Sequence, residues 1–315
     1  MSDLLQRRLE AIRADLAGEA LDGLLVTQPE NRRYLSGFTG SAGLALVTPD
    51  RAHLLTDSRY TEQARQEAPT FTIEHAGYRL VETLAELLGK LGAARVGFEG
   101  DAVTVNELAR LKEHAAAVTW VATAGLVEAH RAVKSEEEIA AIRRAVAVAD
   151  AAMEHAYEVA QDGMTERALA WQIERFMREH GADGIAFEPI VAAGENGALP
   201  HHRPSDRVIG RGEPVVVDIG ARLDGYHSDL TRTFIVGPGP ARDPEFATVY
   251  AVVADAHRAA IAGLHAGLTG PQADKLARDV IAGAGYGELF GHGLGHGVGL
   301  KVHDAPRLSY AAQES

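Results

Sequence analysis

Apolar positions in the first third of the chain return with two alternating periods. Across residues 4–16, leucine and isoleucine recur every three or four positions among charges, the spacing of an amphipathic helix. Short runs at 22–27, 44–47 and 53–56 read as strands, the last two joined by a Pro-Asp turn. Strands at 71–74, 95–98 and 118–121 then alternate with helical stretches at 61–67, 80–91 and 105–114. This alternation predicts an α/β domain whose sheet is covered by helices. Gly37, Gly40 and Gly43 match neither a dinucleotide-binding loop nor a P-loop.

A second domain opens at Ser135, where serine followed three residues later by Glu138 forms a capping box. The helix it starts runs through Ile139, Ile142, Val146 and Ala149 to about residue 160. A second helix begins at Thr165 and stops before Gly181. A strand-like run at 185–191 and a hairpin at 215–236 follow. The order then repeats: Asp243 and Pro244 cap a helix to about residue 264, Pro271 opens another, and 291–302 is strand-like. The first copy, 135–236, closes with a hairpin. The second, 244–315, has none, and the expectation from this asymmetry is a truncated repeat. The expected domains are 1–130 and 131–315.

Composition narrows the function. The chain has 315 residues, 46% of them hydrophobic and 24% charged, as in ordinary globular proteins. A net charge of −13 argues against a surface for nucleic acid or other polyanions. No cysteine is present, which removes disulfides, thiolate metal sites and a cysteine nucleophile, and fits a cytoplasmic protein. The amino terminus lacks the apolar stretch of a signal peptide, and no run is long enough to span a membrane.

The chemistry gathers in two segments. With a turn centred between Leu223 and Asp224, Asp218 falls directly opposite Asp229 in the hairpin, and facing carboxylates repel unless a proton or cation lies between them. A slipped register, with one aspartate in the turn region, is the open alternative. In 291–304, G-H-G-L-G-H-G-V-G-L-K-V-H-D, the glycines share one parity and His292 and His296 the other. An extended chain therefore places both histidines on one face, opposite a glycine face that another backbone can approach. Carboxylate oxygen with imidazole suits Mn²⁺, Co²⁺ or Zn²⁺.

These segments, with I-V-A-A-G-E-N-G-A-L-P-H-H at 190–202 and N-R-R-Y-L-S-G-F-T-G-S at 31–41, resemble the pita-bread metallopeptidases, in particular the Xaa-Pro aminopeptidase and prolidase branch. The resemblance implies an α/β amino-terminal domain followed by an α+β pita-bread domain. It implies metal ligation by Asp218, Asp229 and His296, and roles in substrate contact or proton transfer for His201, His292 and His303. His202 is expected to be a surface histidine and His227 a solvated strand residue; Asp304 stands where glutamate is common. The family also uses two glutamates from later strands, and beyond His303 this chain offers only Asp304 and Glu314.

The implied activity is hydrolysis of the bond preceding proline in peptides, with two divalent ions (Mn²⁺ first) and a shared hydroxide, in a homodimer. As written, with those glutamates absent, the chain is expected to be poorly active. The alternative is a non-catalytic peptide-binding protein of the same fold. A metal-free creatinase-like activity is disfavoured, because those relatives lack the aspartate pair.

Overall fold

The apolar runs of the amino-terminal third pair into one six-stranded sheet. The computed structural model describes residues 2–312, and the chain divides into two compact units, Met1–Val133 and Lys134–Ser315. In the first unit the strands are β1 (Gly23–Val26), β2 (Leu44–Val47), β3 (Ala52–Thr56), β4 (Thr72–His75), β5 (Arg95–Glu99) and β6 (Thr119–Thr123). Their spatial order is β4-β3-β2-β1-β5-β6; β1–β2 and β2–β3 are antiparallel and the other pairs parallel. The helices are α1 (Ser2–Gly18), α2 (Pro29–Ser36), α3 (Thr61–Glu67), α4 (Leu80–Leu91), α5 (Val105–His114) and α6 (Leu126–Ala132). Every residue of β1 and β3 is buried, as in strands covered on both faces.

Pattern reading found all of these elements to within two residues, except α2 and α6. Helix α2 escaped because the residues it buries include Asn31, Arg32 and Ser36, which carry no hydrophobic period. Arg32 donates to the carbonyls of Gly40 and Gly43, both at 2.6 Å, and so ties the following glycine loop to the helix.

In the second unit α7 (Glu136–Val159) starts at the expected capping box, with Ser135 and Glu138 bonded reciprocally. Its buried stripe of Ala141, Ala145, Ala149, Ala152 and Ala156 gives a narrow face that the sheets approach closely. Helix α8 (Glu166–Glu179) is capped by Thr165. The strand run expected at 185–191 is divided: β7 (Gly184–Ile185) and β8 (Ile190–Ala193) join different sheets. Pro189, which has no N–H for a ladder, stands between them.

The hairpin is likewise divided at Gly220 into β9 (Pro214–Ile219) and β10 (Ala221–Leu223) on the way out, and β11 (Tyr226–His227) and β12 (Leu230–Ile235) on the return. The two sheets are β12-β9-β8 and β11-β10-β7. A side chain at Gly220 would overlap the carbonyl of Ser228 and crowd Ala186 and Phe187, so only glycine fits this bend.

The hairpin register differs from the expected one. Leu223 pairs with Tyr226 and Asp218 with Thr231, so Asp218 does not face Asp229. The turn is the two-residue Asp224–Gly225, with φ of 50° and 73°. Fully buried Val215, Val217 and Ile219 fix which face points inward, each burial contributing about 1.5–3 kcal/mol. A two-residue slip keeps that parity, so the apolar pattern cannot see it. The Asp-Gly dipeptide, which accepts positive φ at both positions, decides the register.

The second half holds α9 (Phe246–Gly263), α10 (Gly270–Gly283), β13 (Gly295–Gly297) and β14 (Asp304–Leu308). Helix α9 starts beyond Asp243 and Pro244; Asp243 accepts instead from the Glu245 N–H in the preceding turn. Of the run 291–302, only three residues are strand, paired antiparallel with β14 through an irregularity after His296. The two helices share a small core of Ala256, Ala260, Ala277 and Ile281, while Val253 and Ile261 of α9 remain exposed.

Candidate metal centre

Alternation along β9 turns Val215, Val217 and Ile219 into the core and leaves Asp218 on the opposite face. There its carboxylate takes a hydrogen bond from Thr231, its register partner. Oδ1 of Asp218 is buried with no hydrogen-bond partner. Burial raises the Asp218 pKa to about 6; the Thr231 bond opposes this, the charge of Asp229 adds to it, and His201 and His296 oppose it. Asp229 stands just before β12, beyond the end of the ladder, close enough for its charge to act on Asp218. Its pKa too is raised by burial, against the opposing effects of His296 and His303.

The glycine-rich segment brings imidazoles to these carboxylates. His296 Nε2 lies 3.4 Å from Asp229 Oδ2, and the His296 and His303 rings meet edge-on with centroids 4.4 Å apart. His296 Nδ1 is 2.9 Å from the Gly297 carbonyl, which can only accept, so Nδ1 carries a proton and the ring is oriented with Nε2 towards Asp229. The pKa of His303 is lowered, by burial first and then by His296, with Asp229 opposing. Gly297 lets β14 close in, since a Cβ there would overlap the Ala305 carbonyl.

Of the residues singled out from sequence, Asp218, Asp229, His296 and His303 form one electrostatic cluster, and His201 contributes to it from an exposed turn before β9. His292 does not share a strand face with His296. It lies ahead of β13, exposed, its ring edge-on to Phe290 and its carbonyl accepting from Arg278. Asp304 is buried and accepts from the Ala305 N–H. Glu314 lies outside the described residues.

His202 and His227 are not the solvated residues expected. His202 Nε2 is 2.8 Å from the fully buried carboxylate of Glu166. His227 binds the Gly299 carbonyl through both its backbone N–H and its ring Nδ1, fastening the glycine-rich segment to β11.

Sequence reasoning missed three residues that hold the cluster in place. Glu166 accepts from Ala193 and Ser205 N–H groups as well as from His202. Asp274 accepts from the Leu294 N–H, and Arg278 pairs with Asp274 while donating to the carbonyls of Phe290 and His292. In the sequence Glu166 is an ordinary first-turn acid and Asp274–Arg278 an ordinary i,i+4 pair; no local signal marks the two carboxylates as buried.

Among the described residues, no three His, Asp or Glu side chains converge closely enough to enclose a metal ion. The residues nevertheless fit a divalent cation chemically. Asp218 Oδ1 is a buried oxygen without a donor, and beside it stand a second carboxylate, Asp229, and an imidazole nitrogen, His296 Nε2, 3.4 Å from Asp229 Oδ2.

Carboxylates and imidazoles gathered where two small sheets meet are the donor set of a metal-dependent hydrolase. Residues 140–315 match metallopeptidase family M24 and residues 8–133 match the creatinase/prolidase N-terminal domain; the chain belongs to this family. It is 41% identical over 302 residues to the uncharacterized peptidase YqhT of Bacillus subtilis, covering 96% of this chain and 85% of the relative. It is 33% identical to the Xaa-Pro dipeptidase of Pyrococcus horikoshii, covering 98% of this chain and 85% of the relative. The solved Xaa-Pro dipeptidase of Bacillus anthracis superposes with a TM-score of 0.94 at 38% identity, covering 98% of this chain and 85% of that one. The second unit accordingly has the pita-bread fold and the first the creatinase-like fold.

Proposed function

We propose that this protein hydrolyses the peptide bond preceding proline in small Xaa-Pro peptides, using divalent cations held by Asp218, Asp229 and His296. The observation that carries this reading is the buried, donorless Oδ1 of Asp218 beside Asp229 and His296, in a chain of family M24. The Xaa-Pro dipeptidase relatives supply the substrate class.

When bound, such ions lower the pKa of a coordinated water and polarise the scissile carbonyl. The chain's own residues do the rest. Asp218 and Asp229, whose raised pKa values mark them as reluctant anions, present the negative charge that selects a cation. His303, its pKa lowered, stays neutral near pH 7 and so retains a lone pair to accept a proton as well as an N–H to donate. His201, exposed beside the cluster, donates to the substrate carbonyl; His292 lines the approach. Two ions, a preference for Mn²⁺, a homodimer and a cytoplasmic location belong to the same proposal.

The test is release of the N-terminal residue from Xaa-Pro and Xaa-Pro-Yaa peptides against alanine controls, with Mn²⁺, Co²⁺ or Zn²⁺ added. Proline-selective, metal-dependent turnover supports the reading; equal rates with alanine overturn it. Saturable peptide binding without turnover would instead favour the non-catalytic alternative.

A further inference from the structure

One carboxylate organises the whole segment that carries His201. Glu166 is the first residue of α8, and its side chain is fully buried. Its Oε1 accepts from the Ala193 N–H at 2.8 Å, at the end of β8, and from Asn196 Nδ2 at 2.9 Å. Its Oε2 accepts from His202 Nε2 at 2.8 Å and from Ser205 twice, through N–H at 3.1 Å and Oγ at 2.7 Å. These bonds reach from the end of β8 to Ser205 in the loop that leads to β9, and His201 lies between their attachment points.

His201 and His202 are adjacent but face opposite ways. The His202 side chain is turned inward onto Glu166 and only 11% exposed; His201 is exposed, and its charge is felt by Asp218 and His303. Consecutive Cα atoms are fixed about 3.8 Å apart, so anchoring one residue places the other. The Glu166 carboxylate is held ionised. Burial works against this and the hydrogen bonds from Ala193, Asn196, His202 and Ser205 overcome it, bringing its pKa down to about 2. The anchor therefore persists at every pH where a peptidase would be assayed.

We infer that Glu166 and His202 are positioning residues, a buried pair that sets where the His201 imidazole stands relative to Asp218. The inference rests on the proposed function for the role of His201 in turnover, while the placement itself is independent of it.

The experiment uses the full chain with Mn²⁺ and compares wild type, E166Q, H201A and the double variant, with kcat and KM referred to folded protein. Mispositioning by about an ångström costs on the order of 100-fold in rate. E166Q is expected to lower kcat by about 10- to 100-fold with a smaller change in KM, and the double variant to be no slower than H201A. A multiplicative double variant, or full kcat in E166Q, overturns the inference.

A second arm needs no activity: ring signals of His201 in ¹H–¹³C spectra of metal-free protein. Shifted or broadened signals in E166Q support positioning, and unchanged signals overturn it. If wild type hydrolyses no Xaa-Pro peptide, the proposed function fails and this arm still decides the placement. Should E166Q not fold, H202Q, which keeps an N–H donor, is compared with H202L. Retention of the His201 signals in H202Q and their loss in H202L supports the inference; identical spectra overturn it.

Discussion

Glu166 and Asp218 are carboxylates of the same unit, both withdrawn from water and yet driven in opposite directions. For both, burial is the largest influence and raises the pKa. Glu166 receives donors from Ala193, Asn196, His202 and Ser205 and ends near 2; Asp218 receives one from Thr231, keeps an oxygen without a partner and ends near 6. What separates a structural anion from a cation-seeking one is the number of donors aimed at it. Glu166 contributes stability to the fold. Asp218 detracts from it, and the deficit is what a bound cation would relieve.

The largest expected effect breaks the satisfied side of this comparison. Glu166→Ala removes an anion from several buried donors and should destabilise the second unit by about 3–5 kcal/mol, read from denaturant midpoints. The folded pKa of Glu166 lies below its unfolded value of about 4.5, so its stabilisation is complete above that pH and fades as pH falls towards 2. If the variant and wild type lost stability in parallel on acidification, the anchor would not be Glu166.

Asp218→Asn should move the other way. The folded pKa of Asp218 lies above its unfolded value of 3.8, so the proton-bound form favours folding and stability is lost as pH rises from about 4 through about 6. Metal-free Asp218→Asn protein should therefore melt higher than wild type at pH 7, by the equivalent of about 1–3 kcal/mol, with the gap closing near pH 4. Mn²⁺ should raise the melting temperature of wild type and have little effect on the variant. A variant less stable than metal-free wild type at pH 7 would contradict the account of Asp218 as an unsatisfied anion.

Arg278→Met tests the corresponding clamp under the glycine-rich segment. Losing the donors to Asp274, Phe290 and His292 should cost about 1–2 kcal/mol and speed amide exchange around Leu294, measured by mass spectrometry. Exchange unchanged at 290–294 would show that Arg278 does not hold the segment. The smallest effect sharpens the register. Gly225→Ala, at φ of 73°, should destabilise by about 1 kcal/mol in thermal melts; no change would put the turn elsewhere.

The first unit was legible from pattern because its central strands are buried apolar runs and its longer helices amphipathic, signals that reside in neighbouring residues. Helix α2 was not, since it is packed through Asn31, Arg32 and Ser36 and its reason for being helical lies in what those polar groups meet. In the second unit, capping at Ser135 and the alanine stripe of α7 were readable for the same local reason.

The candidate site divides along the same line. Sequence by itself determined the donor types, the inward parity of β9 and, through glycine, where backbones approach closely: Gly220 and Gly297 are obligatory because carbonyls of Ser228 and Ala305 occupy the space a side chain would need. The turn at Asp224–Gly225 was also written in the sequence, as a dipeptide that accepts positive φ at both positions. Tertiary structure alone decided that His292 stands apart from His296, and that His202 and His227 face inward. It alone turned Glu166, Asp274 and Arg278 into anchors. Those outcomes depend on how many donors reach a group from distant parts of the chain, and that number is fixed only when the chain has folded.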